Sequence, residues 1–405
     1  MYYALSVTLV YLLSEYPAVN HTYLLAEVAA LRAAGFDVRV ISISSAKAEH
    51  LAPEDRKESE NTFYVNGAGA WGFATAHARC AAMQPLRYVS GLLGALRLSG
   101  GCPVEALRWG RYFAQAVVAG EAARRAGATH VHSTYCSSVA LLLGRVSGLE
   151  VSLSIHGSGE FENPGPFRLR EKIREAAFVR AISRFGMSQI MKHSDPPEWR
   201  KIELARLGVD PKKGAPGRRE RSGPFRLLTV GQLAAAKGQH VLLEAMERLV
   251  AEGLDVELRL VGDGPLRGSL EERVAASGLA GRVRFEGYRH NAEVLRMYGD
   301  ADAFVLPSFA EGIPVVLMEA MASGTPCVAS RITGIPELIE DGVSGLLVTP
   351  ADASALAQAI QLLIGDPEKA ERMGLAGRRR VEAEYDLASN GRALVEVFER
   401  RVTEK

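Results

Sequence analysis

Cysteine is scarce: Cys80, Cys102, Cys136 and Cys327 are the only four in 405 residues, and no two stand in CxxC or other metal-ligand spacing. That pattern indicates neither a disulfide framework nor a zinc site, and a reducing cytosol is the expected setting. Long apolar runs are missing too. Residues 1–13 are apolar, but they include Ser6 and Thr8, lack a basic n-region and are too short to span a bilayer. They read as a buried first strand, not a signal peptide. Internal repeats and low-complexity tracts are absent. With 47% hydrophobic and 23% charged residues, the composition is that of an ordinary globular protein.

Net charge is also small, at +1, but it conceals an asymmetry. Residues 1–222 hold 28 Lys+Arg against 20 Asp+Glu, or +8, leaving 20 against 27, or −7, for residues 223–405. A basic first half predicts an anionic partner on that side. Within it, residues 79–112 carry Arg79, Arg87, Arg97, Arg108 and Arg111 with Glu105 as the only acid, interleaved with Leu, Val, Tyr88 and Trp109. The segment fits an amphipathic helix pair covering a sheet. It also fits an anionic membrane surface, held by arginines at low salt and released at high salt. Nucleic acid is disfavoured, because no aromatic stacking platform or nucleic-acid motif accompanies the basic residues.

The length allows two or three domains, and strand-like and helix-like segments alternate twice along it. In the first half, strands are predicted at 4–12, 38–42, 130–132, 151–155 and 180–182, with helices at 21–34, 108–126 and 136–147. In the second, strands are predicted at 225–230, 257–261, 283–286, 303–306 and 327–330, with a helix at 240–252. Residues 211–224 are rich in Pro, Gly and charge and read as a linker. The expected organisation is a first domain over 1–213, a linker at 214–224 and a second domain over 225–386. Two doubly wound α/β halves of this kind face each other across a ligand cleft.

The most informative stretch is Ser308-Phe309-Ala310-Glu311-Gly312-Ile313-Pro314-Val315-Val316-Leu317-Met318-Glu319. It follows an apolar strand and opens an apolar helix. Gly312 permits close backbone approach, Pro314 suits a first helical position, and the free N–H groups of that first turn can receive a pyrophosphate. Five residues on, a rise of about 7.5 Å, Glu319 reaches the height of an attached ribose. Glu311 stays at the mouth, where it can hold sugar hydroxyls. The spacing alone is not specific, since Glu244 and Glu252 match it on a plain surface helix.

With Gly324-Thr325-Pro326 and Gly334-Ile335-Pro336-Glu337 behind it, this stretch closely resembles the donor domain of retaining GT-B glycosyltransferases of the family-4 type, glycosyl transferases group 1. The resemblance covers nearly the whole chain. It implies two Rossmann-like domains, a terminal helix (387–402) that returns to the first domain, and a metal-independent transfer from a nucleotide-sugar donor (UDP-sugar favoured, GDP-sugar allowed) to a hydroxyl of a lipid-linked or glycan acceptor. No cofactor is implied. The implied catalytic group is His156, Lys237 and Glu311, with Lys237 offsetting charge on the departing diphosphate. Donor contacts fall on Gln232, Lys237, Gly264, Pro265, Tyr288, Glu311, Gly312, Ile313, Pro314, Val315 and Glu319. Arg180–Ser183 and Leu207–Asp210 resemble fold markers.

Two departures matter. Relatives usually carry Arg where this chain has Gln232, which removes one fixed positive charge. Where many have a Gly-Gly loop after the first strand, this chain has residues 14–22, whose Asn20, His21 and Thr22 are acceptor-side candidates, although Asn20 equally suits a helix cap. A catalytically silent nucleotide-sugar-binding subunit and a sugar-nucleotide epimerase of the same architecture therefore remain alternatives.

Overall fold

The computed structural model describes residues 7–17, 22–45, 53–214 and 223–404. The chain divides into two compact units, Met1–Arg206 with Gly391–Lys405, and Leu207–Asn390.

The first unit is built on β1 (Thr8–Glu15), β2 (Asp37–Ser44), β3 (Thr62–Tyr64), β4 (His130–Thr134), β5 (Glu150–Ile155), β6 (Val179–Ala181) and β7 (Ile202–Leu204). These form one parallel sheet in the order β3-β2-β1-β4-β5-β6-β7. Helices cover both faces of such a sheet, so β1 is buried from Leu9 to Leu13 and reads as a continuous apolar run. Its first described residue in strand form is Thr8, and the predicted start at residue 4 lies outside the described residues. Arg180 of β6 is buried and donates to Glu27 Oε1 at 2.6 Å, and Glu27 accepts from the Tyr11 hydroxyl at 2.7 Å. The terminal segment belongs to this unit through Phe398, which packs edge-on against Phe178 and His132.

The second unit contains β8 (Phe225–Val230), β9 (Val256–Val261), β10 (Val283–Gly287), β11 (Ala303–Leu306), β12 (Cys327–Ser330) and β13 (Leu346–Val348), parallel in the order β10-β9-β8-β11-β12-β13. Residues 207–214 go with this unit: Val209 bridges to Asp386, and the Arg378 guanidinium donates to the Gly214 carbonyl. The unit boundary thus falls at Leu207, ahead of the Pro/Gly-rich stretch expected as the linker, of which residues 215–222 lie outside the described residues.

Both sheets reverse their winding once, between β1 and β4 in the first and between β8 and β11 in the second. The loops leaving those neighbouring strands diverge to opposite faces and open a crevice at the carboxyl edge, where ligands of such sheets bind.

Candidate functional site

In the second unit, β8 runs into Gly231 and Gln232, then a short 3-10 turn, Ala235–Lys237, ahead of the helix Gln239–Ala251. β11 runs into Pro307, Ser308 and Glu311. These are the two strands on either side of the winding reversal. Lys237 Nζ donates to Glu311 Oε1 at 2.6 Å, and the Ser308 hydroxyl donates to the same oxygen at 2.7 Å. Glu311 is buried, whereas Lys237 keeps a quarter of its side chain exposed. The structure therefore joins two residues 74 positions apart in sequence into one ion pair at the sheet's edge.

The backbone holds this pair in place. The Phe309 N–H donates to the Ala236 carbonyl at 2.8 Å, tying the β8 and β11 loops. Gly238 has φ +64°, and a Cβ there would lie 2.1 Å from the Pro307 carbonyl oxygen. Gly238→Ala therefore forces both a left-handed alanine and a backbone clash, at a cost of about 3 kcal/mol or more. Thermal unfolding should show a drop of roughly 6–12 °C for a unit of this size. An unshifted transition would mean that the loops do not hold each other.

The helix after Glu311 spans Val315–Ala322 with Pro314 as its N-cap, so proline sits one position earlier than the sequence predicts. Its backbone φ of −76° and ψ of 118° is extended, as N-cap geometry requires. No side chain caps this helix start; the Leu317 N–H donates to the Pro314 carbonyl at 3.1 Å, and the N–H groups of Val315 and Val316 point ahead of the helix with no acceptor one turn back. Gly312 is anchored through its carbonyl, which accepts from the Gly334 N–H at 3.2 Å.

Glu319 lies in that helix and is buried. Asn291 Nδ2 donates to its Oε1 at 3.0 Å and the Tyr298 hydroxyl to its Oε2 at 3.1 Å. Burial raises its carboxyl above the ordinary range, against the two hydrogen bonds and the charge of Lys213, which lower it. Asn291 and Tyr298 escaped the sequence reading. They stand seven residues apart on the helix Asn291–Asp300, two turns along one face, and that polar-aromatic pair was the available signal.

Around this centre, the Leu233 N–H donates to the Asp263 carbonyl and the Leu266 N–H to the Leu233 carbonyl, so Gly264 and Pro265 lie beside the β8 loop. Tyr288 follows β10 and is partly exposed, with its ring edge-on to His290. Gln232 is exposed, and its carbonyl accepts from Gln239 Nε2 at 2.8 Å.

His156 belongs to the first unit, immediately after β5, and is buried. Its imidazole lies between Tyr23, stacked at 5.6 Å, and Tyr135, at 4.8 Å between ring centroids. The two tyrosine hydroxyls are 2.5 Å apart, and that of Tyr23 is 3.4 Å from His156 Nδ1. Tyr135 follows β4 at the first unit's winding reversal with φ +65°, a left-handed conformation that few bulky residues adopt. Burial pushes its hydroxyl up to about 12. Nothing in the local sequence marked Tyr135, because its φ is imposed by the turn from β4 into the helix Ser137–Ser147. Asn20 and His21 lie outside the described residues, and Thr22 opens the helix Thr22–Ala33. Among the described residues, no three His, Cys, Asp or Glu side chains converge as metal ligands.

Two helix-flanked parallel sheets, each with a crevice at its winding reversal, define the GT-B fold. HepE of Anabaena in complex with UDP matches 97% of this chain and 100% of its own, with TM-score 0.71 and 18% identity. Sucrose-phosphate synthase of Thermosynechococcus elongatus matches 98% of this chain and 100% of its own, with TM-score 0.73 and 21% identity. At these identities the likeness is one of fold. In sequence, the profile described as glycosyl transferases group 1 matches residues 215–380. Alpha-D-kanosaminyltransferase of Streptomyces kanamyceticus is 31% identical over 280 residues, 64% of this chain and 72% of that protein. The amylovoran biosynthesis glycosyltransferase AmsK of Erwinia amylovora is 37% identical over 226 residues, 54% of this chain. That match spans about half of the relative's length, at 55%. The chain belongs to the glycosyl transferases group 1 family.

Proposed function

We propose that this protein is a retaining, metal-independent glycosyltransferase. It moves a sugar from a nucleotide-sugar, a UDP-sugar by preference, to a hydroxyl of a lipid-linked or glycan acceptor in surface polysaccharide synthesis. It works on the cytoplasmic side, at a membrane face. The observation that carries this reading is the Lys237–Glu311–Ser308 cluster at the winding reversal, directly ahead of a helix N-terminus that has Glu319 one turn further in.

Each group has a task in this reaction. The first-turn amides and Lys237 receive the diphosphate, and Glu319 accepts from ribose hydroxyls. Glu311, released from Lys237 when the phosphate arrives, holds sugar hydroxyls, and His156 contacts the donor sugar. The bond from the anomeric carbon to the diphosphate oxygen breaks, and the acceptor oxygen bonds the same carbon on the same face. The acceptor proton passes to the departing phosphate oxygen. No side chain becomes a covalent nucleophile, and Lys237 offsets the charge that gathers on the leaving group. The UDP-bound HepE structure supports the choice of base, and the amylovoran relative supports the class of acceptor.

Thermal-shift titration with UDP, GDP, ADP and their sugars tests the donor. A UDP compound at about 100 times its dissociation constant should stabilise the protein by about 2.7 kcal/mol. If no nucleoside diphosphate shifts the transition, the reading is wrong. UDP binding without transfer to any acceptor would leave a silent binding subunit, and epimerised free nucleotide-sugar would indicate an epimerase.

A further inference from the structure

Among the described residues no helix is long and apolar enough to cross a membrane. The arginine-bearing segment nevertheless presents an unusual surface. It forms the helix Gly69–Met83, the helix Pro85–Leu98 and the start of the helix Pro103–Arg125. The middle helix turns small residues inward and most of its large apolar residues outward. Its inward side is made of Gly91, Ala95 and Leu98. A Cβ at Gly91 would lie 2.4 Å from Val146 Cγ1 and 3.3 Å from the Phe113 ring, so this side is pressed close against its neighbours and cannot rotate outward.

Its outward side carries large apolar residues at helical steps of three, four and three: Leu86, Val89, Leu93 and Leu96, exposed by 86%, 52%, 49% and 51%. Met83, Val104 and Leu107, on the flanking turns, are exposed by 70%, 68% and 79%. Single exposed leucines need no explanation, but an apolar stripe along a whole helix marks an interaction surface.

The charges around the stripe identify the occupant. Arg97 and Arg111 have no carboxylate ion-pair partner among the described residues, the Arg87 guanidinium is packed against Gly148, and Glu105, the segment's one acid, is engaged by Arg108 at 2.7 Å. A second copy seated face to face would oppose these arginines with their own counterparts. An anionic bilayer instead supplies acyl chains for the leucines and phosphates for the guanidinium groups, whose long stems reach sideways to the headgroups.

We propose that the helix Pro85–Leu98 inserts its Leu86-Val89-Leu93-Leu96 face into the interfacial layer of an anionic membrane. This deepens the membrane assignment above and rests on it for the identity of the partner. The apolar stripe supplies adhesion that salt does not remove, and the arginines select anionic lipid. Charge alone, as the arginine pattern suggested, would release the protein at high salt.

Flotation of the full chain with phosphatidylcholine vesicles, with and without phosphatidylglycerol, at low and high salt tests the proposal. The native protein should float with the anionic vesicles and retain a substantial bound fraction at high salt. Joint replacement Leu86→Ser, Val89→Ser, Leu93→Ser and Leu96→Ser should lower partitioning by about 100-fold at both salt levels, with melting temperature and UDP affinity unchanged. Joint replacement of Arg97 and Arg111 by Gln should weaken low-salt binding by about 10-fold or more and erase the preference for phosphatidylglycerol. Serine variants that bind as tightly as the native protein, or a native protein that ignores anionic vesicles, overturn it. So does a native dimer that becomes monomeric in the serine variant without vesicle binding by either. UDP titration of the same preparations reads the donor site separately, so failure of the transferase assignment is told apart from failure of this one.

Discussion

Lys237→Ala should lower kcat by about 100-fold to 1,000-fold while changing donor affinity much less, because one preorganised charge on a developing anion contributes about 2.7–4 kcal/mol in the transition state. The ammonium is held by Glu311 at 2.6 Å, so its charge is already partly satisfied within the protein. Ground-state binding therefore gains little from it. As the sugar–oxygen bond breaks, negative charge grows on the diphosphate, and the gain is realised there. Gln232 supplies no second cation in its loop, so Lys237 carries more of the load than it would beside an arginine. The measurement is kcat and KM for sugar transfer, or for slow hydrolysis of the donor if the acceptor is unidentified. An unchanged kcat would assign the charge to another residue.

Glu319→Ala should weaken UDP binding by one to three decades. Two hydrogen bonds from ribose to a charged carboxylate are worth about 1.5–3 kcal/mol each, and part of that is offset by water filling the space. The substitution also leaves the Tyr298 hydroxyl and the Asn291 amide without their acceptor. Glu319→Gln therefore serves as the control. It keeps an oxygen for Tyr298 but loses the charge, and it should fall between the native protein and the alanine variant. Calorimetry showing equal UDP affinity in all three would remove Glu319 from the ribose site.

The same residue predicts a pH dependence. Burial raises the Glu319 carboxyl above its ordinary 4.5, so the native state binds this proton more tightly than the unfolded chain does. Its contribution to stability is present at acid pH and is lost as pH rises from the unfolded value through the raised native one. In the proposed reaction ribose is held by the carboxylate, so UDP affinity should decline as pH falls through that raised value, earlier than an ordinary glutamate would allow. Glu319→Gln should flatten the decline.

Much of the candidate site was legible in one dimension because its determinants are local. The run Ala303–Leu306, the small-residue loop and the helix after Pro314 are contiguous, and strand, turn and helix start follow from residue types alone. The strands of the sheet interiors were equally legible, because a strand buried on both faces must be apolar throughout. Three short edge strands, Thr62–Tyr64, Ile202–Leu204 and Leu346–Val348, went unread, since three residues are too few to show a period.

By itself, then, the sequence determined the doubly wound pattern, the position of the turn from β11 into the helix after Pro314 and the identity of the acidic and basic residues near it. Only the tertiary structure decided which of them meet. Lys237 reaches Glu311 because β8 and β11 are neighbours at the winding reversal, and strand order is a long-range property that no local propensity encodes. Tyr135 is held beside His156 by a backbone conformation that the turn after β4 imposes. In the helix Pro85–Leu98, composition announced an amphipathic segment, but which face turned inward was settled by close packing: the side with Gly91 and Ala95 fits against its neighbours, Val146 and Phe113 among them, and Leu86, Leu93 and Leu96 were left to the solvent side.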